Sequence, residues 1–285
     1  MTNVQTWLDN NIPLNQRADI KELLICSASQ QEEHGYSLGD ESLYMHGYIT
    51  DRYYLDIPLT GKLNLSTFPN LEEIVVEGLF INRLILTDCH RLKIILLSGN
   101  LLRKVVFPTQ APKLERVHLT NNNLSPQNLS CFSRFPNLQH LFIGTDDDNR
   151  INSNIYNRWY GSLFYLITLT KLKELDINAS NIDSGLEYLN TRDLYHFIFG
   201  SQGRMKAGVN QLKNTLKDIF ETEEEEDSND VERENDNDID KRVEEWAVDD
   251  DFDNNPTKVG RIRGWQKEQT TAQIAEIPRM RRGDF

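Results

Sequence analysis

The chain is poor in cysteine, and its three, Cys26, Cys89 and Cys131, are widely separated with no Cys-x-x-Cys pair. That favours buried, reduced thiols over a disulfide or metal role. No apolar run approaches the ~20 residues that span a bilayer. The opening MTNVQTWLDNNIPLNQR has no basic segment leading into an apolar one, so no secretory signal is expected and a cytoplasmic location is. Asn64-Leu65-Ser66, Asn128-Leu129-Ser130 and Asn178-Ala179-Ser180 match the glycosylation acceptor pattern but stay silent without secretion, and Arg282-Gly283-Asp284 is coincidental there. The phosphate-loop, dinucleotide, zinc-protease, nucleophile-elbow and protein-kinase signatures are all missing, so no catalytic residue, cofactor or metal site is expected.

Positive charge is scarce relative to negative, with a net of −13 over 285 residues, but the imbalance is local. Residues 221–255 carry 18 acidic and 3 basic side chains, whereas residues 256–285 carry 7 basic and 3 acidic. The part of the chain before Glu221 is near neutral. The stretch ETEEEEDSNDVERENDNDID has no apolar periodicity, so 221–285 is predicted to be a disordered tail, acidic then basic. Trp246 and Trp265 stand among charges, too sparse for a core. Lys258, Arg261, Arg263, Lys267, Arg279, Arg281 and Arg282 form a modest basic stretch, but the acidic segment beside it competes for those charges. Nucleic acid is therefore not the expected partner. A short motif within 243–268 that orders on a partner is a second possibility.

What is present is a repeat. Leu92-xx-Ile95-x-Leu97-xx-Asn100-x-Leu102 has the same form as Leu114-xx-Val117-x-Leu119-xx-Asn122-x-Leu124. Partial copies are Leu71-xx-Ile74-x-Val76, Leu138-xx-Leu141-x-Ile143, Leu172-xx-Leu175-x-Ile177-xx-Ser180-x-Ile182 and Leu194-xx-Phe197-x-Phe199. The copies begin at Leu71, Leu92, Leu114, Leu138, Leu172 and Leu194, a nearly even spacing with one long gap after Leu138. Ile20-xx-Leu23-x-Ile25 and Leu63-x-Leu65 read as degenerate earlier turns. Apolar residues two apart point to one side of a strand. No single coil can bury that side alone, so stacked coils share a core. The asparagine falls where the chain leaves the strand, and its amide can satisfy backbone groups of its own and neighbouring coils. Asn100 and Asn122 are read as such scaffold residues, and Asn121 and Asn123 as solvent-facing turn residues.

These motifs resemble the leucine-rich repeat family, over roughly residues 20–200. IYNRWYGSL, LTKLKELDIN and NIDSGLEYL, with the opening VQTWLDNN, are similar to a subgroup of fungal leucine-rich repeat proteins expanded in arbuscular mycorrhizal fungi. The resemblance implies an α/β repeat solenoid: a curved leucine-rich repeat horseshoe with a parallel concave sheet, helical caps and a disordered charged C-terminal tail. Residues 1–19 form the N-terminal helical cap, 20–200 the solenoid with an insertion at 27–58, and 201–220 a C-terminal capping helix. That last helix is predicted from Val209, Leu212, Leu216 and Ile219. The long gap holds GTDDDNRINSNIYNRWYGSLFYL, where Ile155, Trp159 and Leu163 fit a helix face, most of it core.

The resemblance also implies that ligands bind the concave face, as does the geometry, because side chains pointing away from the core on successive strands form stripes. One stripe reads Glu73, Ile94, Arg116, His140, Glu174, His196. The next reads Val75, Leu96, His118, Phe142, Asp176, Ile198, and a third Glu77, Ser98, Thr120, Gly144, Asn178, Gly200. Ile94 beside Leu96 would be an exposed apolar patch unless covered. Aromatic and arginine side chains anchor protein interfaces. Arg116, His118, Thr120, His140 and Phe142 are therefore the expected partner-binding centre, with Glu174 and Asp176 as its charged rim. The expected function is a non-enzymatic protein-interaction module. The competing readings are a regulatory adaptor whose acidic and basic tail carries the binding or autoinhibitory motif, and an enzyme of unrecognised type acting through the tyrosine-rich insertion.

Overall fold

Each Leu-x-x-Leu-x-Leu segment is extended, and all its apolar positions are buried, from Leu71, Ile74 and Val76 through to Leu194, Phe197 and Phe199. The computed structural model describes residues 1–27, 51–55 and 57–215, together with Ile262 and Gln266. The chain opens with β1 (Thr2–Asn3), α1 (Val4–Asn11), β2 (Glu22–Ser27), β3 (Asp51–Leu55) and β4 (Leu59–Asn64). It then alternates β5 (Glu73–Glu77) with β6 (Phe80–Ile85), and β7 (Ile94–Leu96) with β8 (Lys104–Val106). Next come β9 (Arg116–His118), β10 (His140–Phe142), α2 (Asp148–Asn152) and β11 (Tyr160–Ser162). β12 (Glu174–Asp176), β13 (Asn181–Ser184) and β14 (His196–Ile198) follow, and residues 209–215 are helical, here α3.

The strands sort into an eight-stranded sheet, β14-β12-β10-β9-β7-β5-β2-β3, a four-stranded sheet, β1-β4-β6-β8, and the pair β11-β13. Every pairing is parallel. The fold is therefore α/β, with parallel sheets, few helices and a repeat-like alternation between two rows of strands. Among the described residues neither row closes into a barrel. The core between them is one continuous cluster running from Val4 to Leu212. Burying each large aliphatic side chain contributes about 1.5–3 kcal/mol, so the stacking of neighbouring coils dominates stability.

At the N-terminal end α1 covers the core with Val4, Trp7 and Leu8. The Asn3 side chain caps it, accepting from the backbone amides of Gln5 and Thr6 at 2.9 and 3.1 Å. Buried Arg17 secures the cap by donating to Ile12 O, Thr67 Oγ1 and Asp9 Oδ1 at 2.9, 3.0 and 2.7 Å. The insertion after β2 returns as β3, which extends the eight-stranded sheet beyond β2. At the other end Val209 and Leu212 of α3 are buried; Leu216 and Ile219 lie outside the described residues.

The asparagine ladder is longer than the sequence pattern. Asn100 donates to the carbonyls of Val76, Leu97 and Ser98 at 2.7, 3.0 and 3.1 Å. Asn122 donates to those of Leu97, Leu119 and Thr120, and accepts from the Leu102 amide at 3.0 Å. Asn157 takes the next rung, donating to the carbonyls of Leu119, Ile143 and Gly144 at 2.8, 3.0 and 3.1 Å and accepting from the Leu124 amide. The long gap is thus an ordinary coil with residues 146–156 inserted just before its ladder asparagine.

That placement corrects two expectations. There is no helix across Ile155, Trp159 and Leu163: α2 ends at Asn152, Trp159 forms a parallel bridge with Gln127, and Tyr160–Ser162 is a strand. Gly161, at φ 86°, then turns the chain within β11. Trp159 and Leu163 are core nonetheless. Asn121 and Asn123 also hold the insertion instead of facing only solvent. Asn121, at φ 57°, accepts from the amides of Asp146 and Asp147 at 3.1 and 3.2 Å, and Asn123 Oδ1 accepts from Arg158 at 2.6 Å. Arg150 reaches back to the carbonyls of Gly99, Asn100 and Asn121 at 3.0, 2.8 and 2.8 Å.

The tail expectation also needs correcting at two positions. Ile262 is fully buried in the core cluster. Gln266 is helical and donates to the carbonyls of Leu186 and Leu189 at 2.8 and 2.9 Å while accepting from Thr191 Oγ1 at 3.0 Å. A buried isoleucine and a side-chain amide matched to two turn carbonyls offset the entropy of ordering these residues. Trp246 and Trp265, with the rest of 216–285 and most of the insertion at 28–50, lie outside the described residues.

Removing the Asn157 side chain takes a partner from three carbonyls and one amide at the edge of the core. Asn157→Ala should cost about 2–4 kcal/mol in urea unfolding, whereas Asn149→Ala, exposed in the same insertion, should change stability by less than about 0.5 kcal/mol. Equal, small effects would show that Asn157 is not a rung.

Candidate recognition face of the eight-stranded sheet

Alternation along β9 and β10 turns Val117 and Leu141 into the core, leaving Arg116, His118, His140 and Phe142 on the opposite face. Parallel register sets His140 beside Arg116 and Phe142 beside His118. Glu174 and Asp176 continue the two stripes on β12, and His196 and Ile198 on β14. Ile94 and Leu96 precede them on β7. Neighbours in a stripe are about 4.8 Å apart, close enough for one bound surface to touch several. Six of the seven residues picked from the sequence thus lie on two adjacent stripes. Thr120 lies past the end of β9 and is buried.

The central four are half-buried. The His118 and Phe142 rings are 5.1 Å apart at an interplanar angle of 52°. Burial pushes the His118 ring down to about 4, the charge of Arg116 adds to that, and Glu174 opposes it. His118 is therefore neutral at pH 7 and works as a flat aromatic surface with a polar edge.

The expected charged rim is different. Glu174 and Asp176 are each only 4% exposed. His140 Nδ1 lies 3.1 Å from Glu174 Oε2, an ion-pair distance with no well-aligned hydrogen bond. The Tyr195 hydroxyl donates to Glu174 Oε1. Burial alone would raise the Glu174 carboxyl, but His140 and Tyr195 outweigh it and hold the group below the usual range. Asp176 Oδ1 accepts from the Asn178 amide at 2.8 Å. It folds over Gly144, where a Cβ would come within 2.4 Å of that oxygen and 2.6 Å of the Asn178 amide. Both carboxylates are committed to the protein's own groups. Tyr195 was not legible as part of this cluster, because it precedes its strand and its pattern position says nothing of its reach.

The apolar end of the face is also more closed than expected. Leu24 and Leu96 are buried, while Val75 and Ile94 are half-buried. In the third stripe, burial raises the Glu77 carboxyl to about 7, an effect opposed by Ser98. Burial pushes the thiols of Cys26, Cys89 and Cys131 up to about 12, so all three are protonated and poor nucleophiles. Among the described residues no group of three or more His, Cys, Asp and Glu side chains is placed to hold a metal ion, and no helix is long and apolar enough to cross a membrane. What the face offers is a cation, an aromatic pair and fixed carboxylates in register.

The unfolded chain protonates a histidine near pH 6.5, while folded His118 resists until about 4, so His118 makes stability fall as pH drops through that window. His118→Asn should abolish on the order of 1–2 kcal/mol of this loss, a figure reduced for the partly exposed ring. Urea unfolding at about pH 7 and about pH 4 checks it; an unchanged pH dependence would place the ring in solvent.

No protein-family model matches this chain, and no curated protein matches it.

Proposed function

We propose that the chain is a leucine-rich repeat solenoid, curved so that the eight-stranded sheet is concave. On this reading it is a cytoplasmic, non-enzymatic module that binds a protein partner on that face. The observation that carries this is the register of β9 and β10, which sets Arg116, His118, His140 and Phe142 together as a half-buried, chemically mixed patch. Such a patch suits a partner presenting a carboxylate to Arg116 and an apolar side chain to the His118–Phe142 rings. Glu174 and Asp176 act as a fixed boundary more than as contacts.

A second reading has its own support. Gln266 bonds to the body at Leu186–Thr191, and Ile262 is buried in the core cluster. A regulatory adaptor whose tail is held in cis, and which modulates binding by its attachment, fits that contact.

Arg116→Glu combined with Phe142→Ala, in the full chain, should abolish capture of partners in affinity purification with mass spectrometry while circular dichroism stays unchanged. An unaltered partner set would overturn the concave-face assignment. Deleting residues 221–285 should instead change partner affinity in a salt-dependent way if the regulatory reading holds.

A further inference from the structure

The four-stranded sheet carries a row of like charges on its outer face. Register aligns Lys62 of β4 with Arg83 of β6, and Arg83 with Lys104 of β8. All three are exposed, as is the adjacent Arg103. Between them, Leu63 and Leu84 alternate into the core, so the backbone register holds the cations outward. Strand spacing puts successive charges about 4.8 Å apart, and like charges directly opposed across strands destabilise a sheet. Among the described residues these cations form no ion pair, whereas Lys93, on the other side of the molecule's coils, pairs with Glu72 at 2.6 Å. A polyanion lying across such a ladder offsets its repulsion.

The chain carries one. Residues 221–255 bear 18 acidic and 3 basic side chains, against a body near neutrality. Described residues on either side of that segment belong to the body: α3 reaches residue 215, Ile262 is in the core cluster, and Gln266 bonds to Leu186 and Leu189. The small sheet is continued by residues 123–127, whose amides bond to Leu102 and Arg103, and then by the β11-β13 pair, so β13, just before the Gln266 contact, is three to five strand spacings from the ladder, roughly 15–25 Å. Half of the intervening chain, extended at about 3.3 Å per residue, reaches well beyond that. Tethering at both ends also gives the acidic segment a high effective concentration, of the order of millimolar, that a free polyanion must exceed.

We propose that the Lys62–Arg83–Lys104 ladder is the docking surface of the chain's own acidic segment, residues 221–255. This deepens the regulatory reading by naming the surface that receives the tail. Docking neutralises the ladder and leaves the opposite sheet to a partner. An acidic partner that displaces the segment would compete for it, and so would salt.

Zero-length carbodiimide crosslinking of the full chain tests this, with the Lys93–Glu72 pair as internal control. At low salt, Lys62 and Lys104 should crosslink to carboxylates of 221–255. Arg83→Glu keeps both lysines but breaks the ladder at its centre, and should cut those crosslinks about tenfold while leaving Lys93–Glu72 intact. Raising salt from about 0.01 M to about 1 M, which shortens the screening length from about 30 Å to about 3 Å, should do the same. Tail crosslinks confined to other lysines would overturn this surface while leaving the regulatory reading standing. Binding of a single-stranded oligonucleotide that Arg83→Glu abolishes, with no tail crosslinks, would overturn it by assigning the ladder to an external polyanion.

Discussion

The constraint on which the rest depends is the fate of the carbonyls where the chain leaves each strand of the large sheet. They are buried at the edge of a continuous apolar core, and an unpaired buried carbonyl costs about as much as a lost hydrogen bond. An asparagine amide resolves this by donating to its own coil and to the preceding one together. Asn122 bonds to Leu97 O of the coil before and to Leu119 O and Thr120 O of its own. One side chain therefore sets both the turn within a coil and the spacing between coils. Strand register, and with it the alignment of the outward stripes, follows.

The insertion shows how much that rule tolerates. Residues 146–156 loop out, yet the chain returns with Asn157 in the rung position. The loop is then bound to earlier coils through Arg150 and Asn121, and Arg158 just after the rung bonds to Asn123. Tyr156 is flanked by Arg158 and Arg204, whose guanidinium carbons lie 4.5 and 3.8 Å from its ring centroid. The insertion thereby joins coils that are not sequence neighbours. The added length does not interrupt the core, because the ladder closes again at Asn157.

Much of the architecture was legible because a strand of period two, recurring evenly from Leu71 to Leu92, Leu114 and Leu138, leaves few ways to bury its apolar face. Leu114, Val117, Leu119 and Leu124 could be assigned to the core directly. Asn157 could not, since its rung comes well after Ile143 in the chain and no local pattern marks it. Ile155, Trp159 and Leu163 fitted a helix by spacing, but the Asn157 rung and the Trp159 bridge to Gln127 prevail over that periodicity. For the face, register made Arg116, His118, His140 and Phe142 neighbours as their pattern positions implied. The burial of Glu174 and Asp176 was hidden, because it comes from Tyr195, His140 and the close approach over Gly144. Ile262 and Gln266 were illegible in a charged tail, since one isoleucine and one glutamine carry no periodicity.

Function, in this view, is what remains once the scaffold has claimed its residues. The asparagines and the two carboxylates of β12 serve the fold; the aromatic rings and the basic ladder are the groups on which the proposed contacts rest. The most direct test of the scaffold is native-state hydrogen exchange at the Leu102 and Leu124 amides, which donate to Asn122 and Asn157 at 3.0 and 3.2 Å. A continuous ladder requires both to exchange only through global unfolding, with the same free energy as the core strand amides of Val117 and Leu141. Exchange of the Leu124 amide at the rate of an exposed loop would contradict it.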